Sequence, residues 1–156
     1  IIAVDISAEK LNAARQFGAT DTVNISKADP VRIIHELTKG RGADYVIESA
    51  GIVHTFSPAI ESVRRGGMVV LLGKTEPEKH VSIRWGALMG ERFIVRSSYG
   101  GARPRRDFPL LANLYLEGEL LLDELITQRI KLDQINKGFA SMKRGEGIRT
   151  VIDLQS

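Results

Sequence analysis

Residues 1–20, IIAVDISAEKLNAARQFGAT, read as a strand, a tight turn and a helix in immediate succession. Ile1 to Val4 is a continuous apolar run, the pattern of a strand covered on both faces. Ser7 offers a hydroxyl at the helix N-cap, and Ile6 and Leu11 flank it as a hydrophobic staple. Leu11, Ala14 and Phe17 share one helical face, and Gly18 supplies a left-handed stop.

The same unit recurs down the chain. Thr22 to Ile25 forms a second short strand, and Asp29-Pro30 is a cap followed by proline at the first helical position. Val31, Ile34 and Leu37 then face the core until Gly40. A third strand covers Asp44 to Ser49, a helix lies near Thr55 to Arg64, and Gly66-Gly67 leads into the strand Met68 to Leu72. Strand and helix alternating every ~20–25 residues predict βαβ units and a parallel sheet. After Gly73 the rhythm changes, with a brief strand at Val81 to Ile83, a helical turn near Trp85 to Met89 and a strand from Phe93 to Ser98. Beyond Gly100-Gly101 and the basic knot RPRR (Arg103 to Arg106) come a helix at about Asp107 to Leu116 and the apolar pair Leu125-Ile126. A helix with Ile135, Phe139 and Met142 on one face and a last strand, IRTVIDL, complete the chain.

The bulk properties exclude several classes. At 156 residues, 43% hydrophobic and 26% charged, the chain is an ordinary globular domain in size and balance. Its net charge of +3 is dispersed, and RPRR alone is too short to neutralise several phosphates, so no nucleic-acid partner is expected. No apolar run approaches the ~20 residues of a membrane span, and the first residues do not read as a signal peptide. The absence of cysteine excludes disulfides and Cys-ligated zinc within these residues, and suits a cytoplasmic location.

In an open parallel sheet, ligands bind beyond the carboxyl ends of the strands. Asp5 lies at such an end, where a carboxylate can accept from both hydroxyls of a ribose while repelling a 2′-phosphate. Alternatively it only caps the helix start. A dinucleotide fold places G-x-G-x-x-G about 20 residues before such an acid, whereas Asp5 has four residues before it. This predicts a Rossmann-type doubly wound sheet that lacks its first βα unit, in a fragment or a partly represented chain. His35, His54 and His80 show no metal-site spacing, and Glu48, after three apolar strand residues, suits a structural hydrogen bond. Arg149, just before the last strand, has salt bridging as its default role.

The succession VDxxxxKLxxAxxFGAT, ADYVIESAG, RRGGMVVLLG and INKGFASMKRGEGIRTVIDL resembles the zinc-containing medium-chain alcohol dehydrogenases, from Ile1 to Leu154. The resemblance implies that Asp5 and Lys10 read the adenosine ribose of NAD and that Ala50 and Gly51 flank the adenine and ribose. It implies that the Leu72 carbonyl receives the nicotinamide carboxamide, joined by backbone groups of Ser97 and Tyr99, and that Arg149 reaches the pyrophosphate. It also implies a homo-oligomer, dimer or tetramer, through Val81 to Ile83, and an alcohol or aldehyde substrate. Lys74 and Ile52 depart from residues common in the family, apolar and arginine respectively.

No catalytic residue and no zinc ligand of the family falls within these residues; the resemblance puts them upstream. The expected organisation is therefore a partial NAD-binding domain over residues 1–98 and a helical and strand extension over 99–156 that packs on a catalytic domain. Two other readings compete. A non-catalytic nucleotide-binding regulatory module has no need of the tail, and an adenosylmethionine-dependent methyltransferase would end in a reversed strand hairpin rather than in helix and IRTVIDL.

Overall fold

The computed structural model describes residues 1–154. The chain divides into two compact units, Ile1–Ala102 and Arg103–Ser156. In the first, β1 (Ile2–Asp5), α1 (Ala8–Gln16), β2 (Asp21–Asn24), α2 (Pro30–Leu37), β3 (Ala43–Glu48), α3 (Val53–Ser62) and β4 (Val63–Leu71) alternate strictly, followed by α4 (Trp85–Leu88) and β5 (Phe93–Arg96). All pairings are parallel, as the βαβ rhythm requires.

The helix caps act as read, whereas Ile6, expected to staple onto buried Leu11, is exposed. The Ser7 hydroxyl accepts the Lys10 N–H at 3.4 Å, and Asp29 Oδ1 accepts the Val31 N–H at 3.0 Å with Pro30 at the first turn. Gly18 and Gly40 both take positive φ after their helices. Ile34 is buried, but Leu37, assigned to the same face, is exposed. His35 is structural: its ring nitrogens lie 3.2 and 3.1 Å from the carbonyl oxygens of Gly40 and Glu61, tying α2 to α3.

The strands form two ladders rather than one sheet. β2 pairs with β1, and β3-β4-β5 form the other, with no hydrogen-bonded pair between β1 and β3. Within the described residues, one edge of β1 and one edge of β3 are therefore open. Burial follows, since Val4, expected to be covered on both faces, is exposed. The larger ladder packs one face. Val69, with Ala59, Ile60, Val63 and Ala87, makes the buried core beneath α3 and α4, joined by Val46, Leu71 and Leu88. Side chains alternate across a sheet, and the opposite face leaves Tyr45, Ile47, Phe93 and Val95 exposed.

Several bounds differ from expectation, and two of the differences bear on the sheet. β4 begins at Val63, not Met68, because a register shift between Ala43 and Tyr45 lets Ala43 pair with Val63. Val63 is fully buried, so this extension is held by packing as well as by the ladder. The strand expected at Val81 to Ile83 does not form: these residues have no regular structure, since no strand of the described chain lies beside them to complete a ladder.

In the second unit, α5 (Pro104–Leu116) leads to β6 (Ile126–Lys131), α6 (Ile135–Lys143) and β7 (Arg149–Asp153), with β6 and β7 parallel. Ile130 is buried against α6, where a Cβ on Gly138 would stand 2.7 Å from its Cδ1. α5 buries no residue, and Phe139 and Met142 of α6 are exposed. Among the described residues no helix is long and apolar enough to cross a membrane.

Asp44, at the start of β3, accepts from Arg41 at 2.9 and 2.8 Å and from Arg64 at 2.6 Å. Hydrogen bonds from Arg41 first and Arg64 second hold its carboxyl below the ordinary value of 3.8. A carboxylate depressed on folding contributes stability that is present above its unfolded value and lost as pH falls through the folded one. Asp44→Asn is therefore expected to unfold at lower urea than the parent at pH 7, and the gap to close as the titrations are repeated below about pH 3.8.

Candidate functional site

Asp5, Ala50 with Gly51, Leu72 and Ser97 all lie at the carboxyl ends of parallel strands, or one to three residues past them. At the end of β1, Asp5 Oδ1 accepts the Ser7 N–H at 2.8 Å. That bond holds the residue before the helix, since the N-cap of α1 is Ser7 and not Asp5, and it occupies one oxygen; among the described residues Oδ2 has no partner, and neither has the Lys10 ammonium five residues on. The expected cap at Asp5 is thus a turn ahead of the helix, and one carboxylate oxygen stays open.

The tips of β3 and β4 are locked together by Glu48. Its side chain is buried, and Oε1 accepts the Gly51 N–H at 2.9 Å and the Thr55 hydroxyl at 2.7 Å. Its backbone carbonyl accepts the N–H groups of both Leu72 and Gly73, at 2.7 and 2.9 Å. Glu48 Oε2 is buried without a partner among the described residues. The two loops touch backbone to backbone. Gly51 has φ +67, and a Cβ there would stand 2.5 Å from the Lys74 N, while a Cβ on Gly73 would stand 2.5 Å from Glu48 Oε2. Glycine is required at both positions by contact, and at Gly51 by conformation too.

Across the ladder, Arg96 at the end of β5 donates through Nη1 to the carbonyls of Leu71 at 2.7 Å and Gly73 at 3.1 Å. The Ser97 N–H also donates to Leu71, at 3.1 Å, so of Ser97's backbone groups its carbonyl is the one left over. Leu72, half exposed, has a carbonyl that no donor of the described residues reaches. A cleft of about 400 Å³ opens beside this tip, floored by Phe56, Ile60, Leu71 and Ile94 and rimmed by Lys74 and Arg96. Ala50 and Ile52 are exposed on either side of buried Gly51.

Two expected residues belong to other segments of the chain. Tyr99, with φ 50, is 95% exposed in a single 3₁₀ turn. Arg149 belongs to the second unit, as the first residue of β7, and is exposed with a free guanidinium among the described residues. Sequence reasoning missed Arg96, whose signal was a single charge closing the apolar run FIV, and anticipated the structural role of Glu48 without its partners.

A profile of the family described as zinc-binding dehydrogenase matches residues 1–117. The chain belongs to the zinc-binding dehydrogenase family. Among similar proteins, the class-3 alcohol dehydrogenase of Drosophila melanogaster is 37% identical over 157 residues, covering 97% of this chain and 41% of that protein. The S-(hydroxymethyl)glutathione dehydrogenase of Paracoccus denitrificans is 35% identical, covering 97% of this chain and 42% of that protein. Of solved structures, the benzyl alcohol dehydrogenase of Acinetobacter calcoaceticus superposes with a TM-score of 0.92 at 27% identity, over 99% of this chain and 42% of that one. The chain thus spans about two fifths of the length of those relatives. Membership sets aside the methyltransferase reading, and its matched region contains every strand tip described above.

The back-to-back glycines give a direct check. Gly73→Ala forces a methyl group into the Gly51 backbone and Glu48, and is expected to cost about 1–3 kcal/mol by overpacking, read as a lowered urea midpoint. A midpoint equal to the parent's would show that the loops are not in contact.

Proposed function

We propose that this chain is the NAD(H)-binding part of a zinc-dependent alcohol dehydrogenase, which moves a hydride between an alcohol and NAD. The observation that carries the reading is Asp5: one carboxylate oxygen holds the N–H of Ser7, the N-cap of α1, and among the described residues the other has no partner, at a strand's carboxyl end with an unpaired lysine five residues on. Such a carboxylate accepts from the vicinal hydroxyls of the adenosine ribose, and Lys10 donates to the same ribose. Asp5 disfavours a 2′-phosphate by charge repulsion, which makes the cofactor NAD rather than NADP.

The residues present fit that cofactor at both ends. Exposed Ala50 and the close-packed Gly51 leave a low wall for the adenine and ribose, and the free Leu72 carbonyl accepts from a carboxamide N–H, aided by backbone groups of Ser97 and Tyr99. Arg149 enters on the family resemblance alone, as a guanidinium suited to two pyrophosphate oxygens. When bound, the nicotinamide takes up or returns the hydride. The chain's own residues orient that ring and contribute to one wall of the substrate cleft.

Zinc is a different matter. Among the described residues no group of three or more His, Cys, Asp or Glu could hold a metal ion, so these residues do not fit zinc and no step is derived through it. In this reading residues 1–98 hold the cofactor, and 99–156, with exposed Phe108, Leu110 and Leu116 on α5, pack on a catalytic domain. The unpaired segment Val81 to Ile83 pairs with its copy in a homo-oligomer, and the cysteine-free chain works in the cytoplasm.

Titration of the purified chain with NAD and NADP tests the central point. NAD is expected to bind more tightly, and Asp5→Asn, which keeps an acceptor for the Ser7 N–H but removes the charge, to weaken NAD about tenfold while narrowing its lead over NADP. Preference for NADP in the unaltered chain would overturn the reading.

A further inference from the structure

We propose that Arg96 is the positioning residue that aims the Leu72 carbonyl at the nicotinamide end of the cofactor site. The proposal deepens the cofactor reading above and rests on it.

The tip of β4 has three consecutive carbonyls, on Leu71, Leu72 and Gly73, beyond which the chain leaves the sheet. In extended backbone, alternate carbonyls point to opposite sides. Arg96 Nη1 bridges the first and third of them, at 2.7 and 3.1 Å, which fixes both toward β5. The middle one is reached neither by Arg96 nor by any other donor of the described residues. On the β3 side the ladder is ending: the Leu72 and Gly73 N–H groups converge on one acceptor, the Glu48 carbonyl, and no N–H of the described residues returns to Leu72. The outcome is one acceptor without a donor, held in a backbone pinned from both flanks.

The charge on Arg96 suits this task. A guanidinium keeps its charge at all working pH values and its donors are fixed in a plane, so it holds two acceptors with little loss of side-chain freedom. No carboxylate of the described residues pairs with it; its recorded partners are these two carbonyls alone. Without it, Leu71 would retain the Ser97 N–H, whereas Gly73 would lose its only recorded donor and the tip could rotate. Arg96 does not itself need to touch the cofactor.

The test separates the two ends of the ligand. The unaltered chain, Arg96→Met and Arg96→Lys are titrated with NAD and with ADP-ribose, which lacks the nicotinamide. Arg96→Met is expected to weaken NAD about five- to tenfold, the size of one lost oriented hydrogen bond, and to leave ADP-ribose within twofold. Arg96→Lys, which can still donate to both carbonyls, recovers part of the loss. Equal losses for both ligands would mean a merely structural arginine, and an unchanged NAD affinity would mean that Leu72 needs no aiming; either overturns the proposal while leaving the cofactor reading intact. Failure of the unaltered chain to bind either ligand overturns the cofactor reading itself, and this proposal with it.

Discussion

A single buried carboxylate organises the candidate site. Glu48 enters the core face of β3, where an unsatisfied charge would be costly, and spends Oε1 on the Gly51 N–H and the Thr55 hydroxyl. Its backbone carbonyl holds the next two N–H groups past β4. Those bonds bring the loops after β3 and β4 so close that neither Gly51 nor Gly73 has room for a side chain. The surface a ligand meets at these tips is therefore backbone: a free carbonyl at Leu72 and a low wall at Ala50 and Gly51.

Much of this was legible in the sequence because local chemistry dictates it. Ser7, Asp29-Pro30 and Gly18 act through neighbours a few residues away, so their signals need no tertiary context. The alternation of strand and helix, and the position of Asp5 one residue past an apolar run, are likewise local. Family membership, read from four short motifs, agrees with the match over residues 1–117, which contains three of them.

What was not legible depends on partners distant in sequence. Arg96 acts across the ladder on residues 25 and 23 positions earlier, and nothing in FIVR says which carbonyls it will reach. The start of β4 at Val63 depends on a register shift in another strand. Val81 to Ile83 have strand-like composition, but a strand is defined by its neighbour, and the described chain supplies none. Val4, Leu37, Phe139 and Met142 read as core because they are apolar at the right spacing, yet each is exposed. Periodicity marks the face that wants burial, not whether anything covers it.

In the proposed reading the carboxyl ends of β1, β3 and β4 form one dinucleotide site with its adenosine end at Asp5 and its nicotinamide end at Leu72. The most direct measurement is a residue-resolved map of amide chemical shifts in the chain as NAD is added. Perturbations are expected to centre on Asp5 to Lys10, Ala50 to Ile52 and Leu72 to Lys74, with those at Leu72 to Lys74 absent when AMP replaces NAD. Shifts that spare Asp5 to Lys10, or that appear at Leu72 to Lys74 with AMP alone, would contradict it.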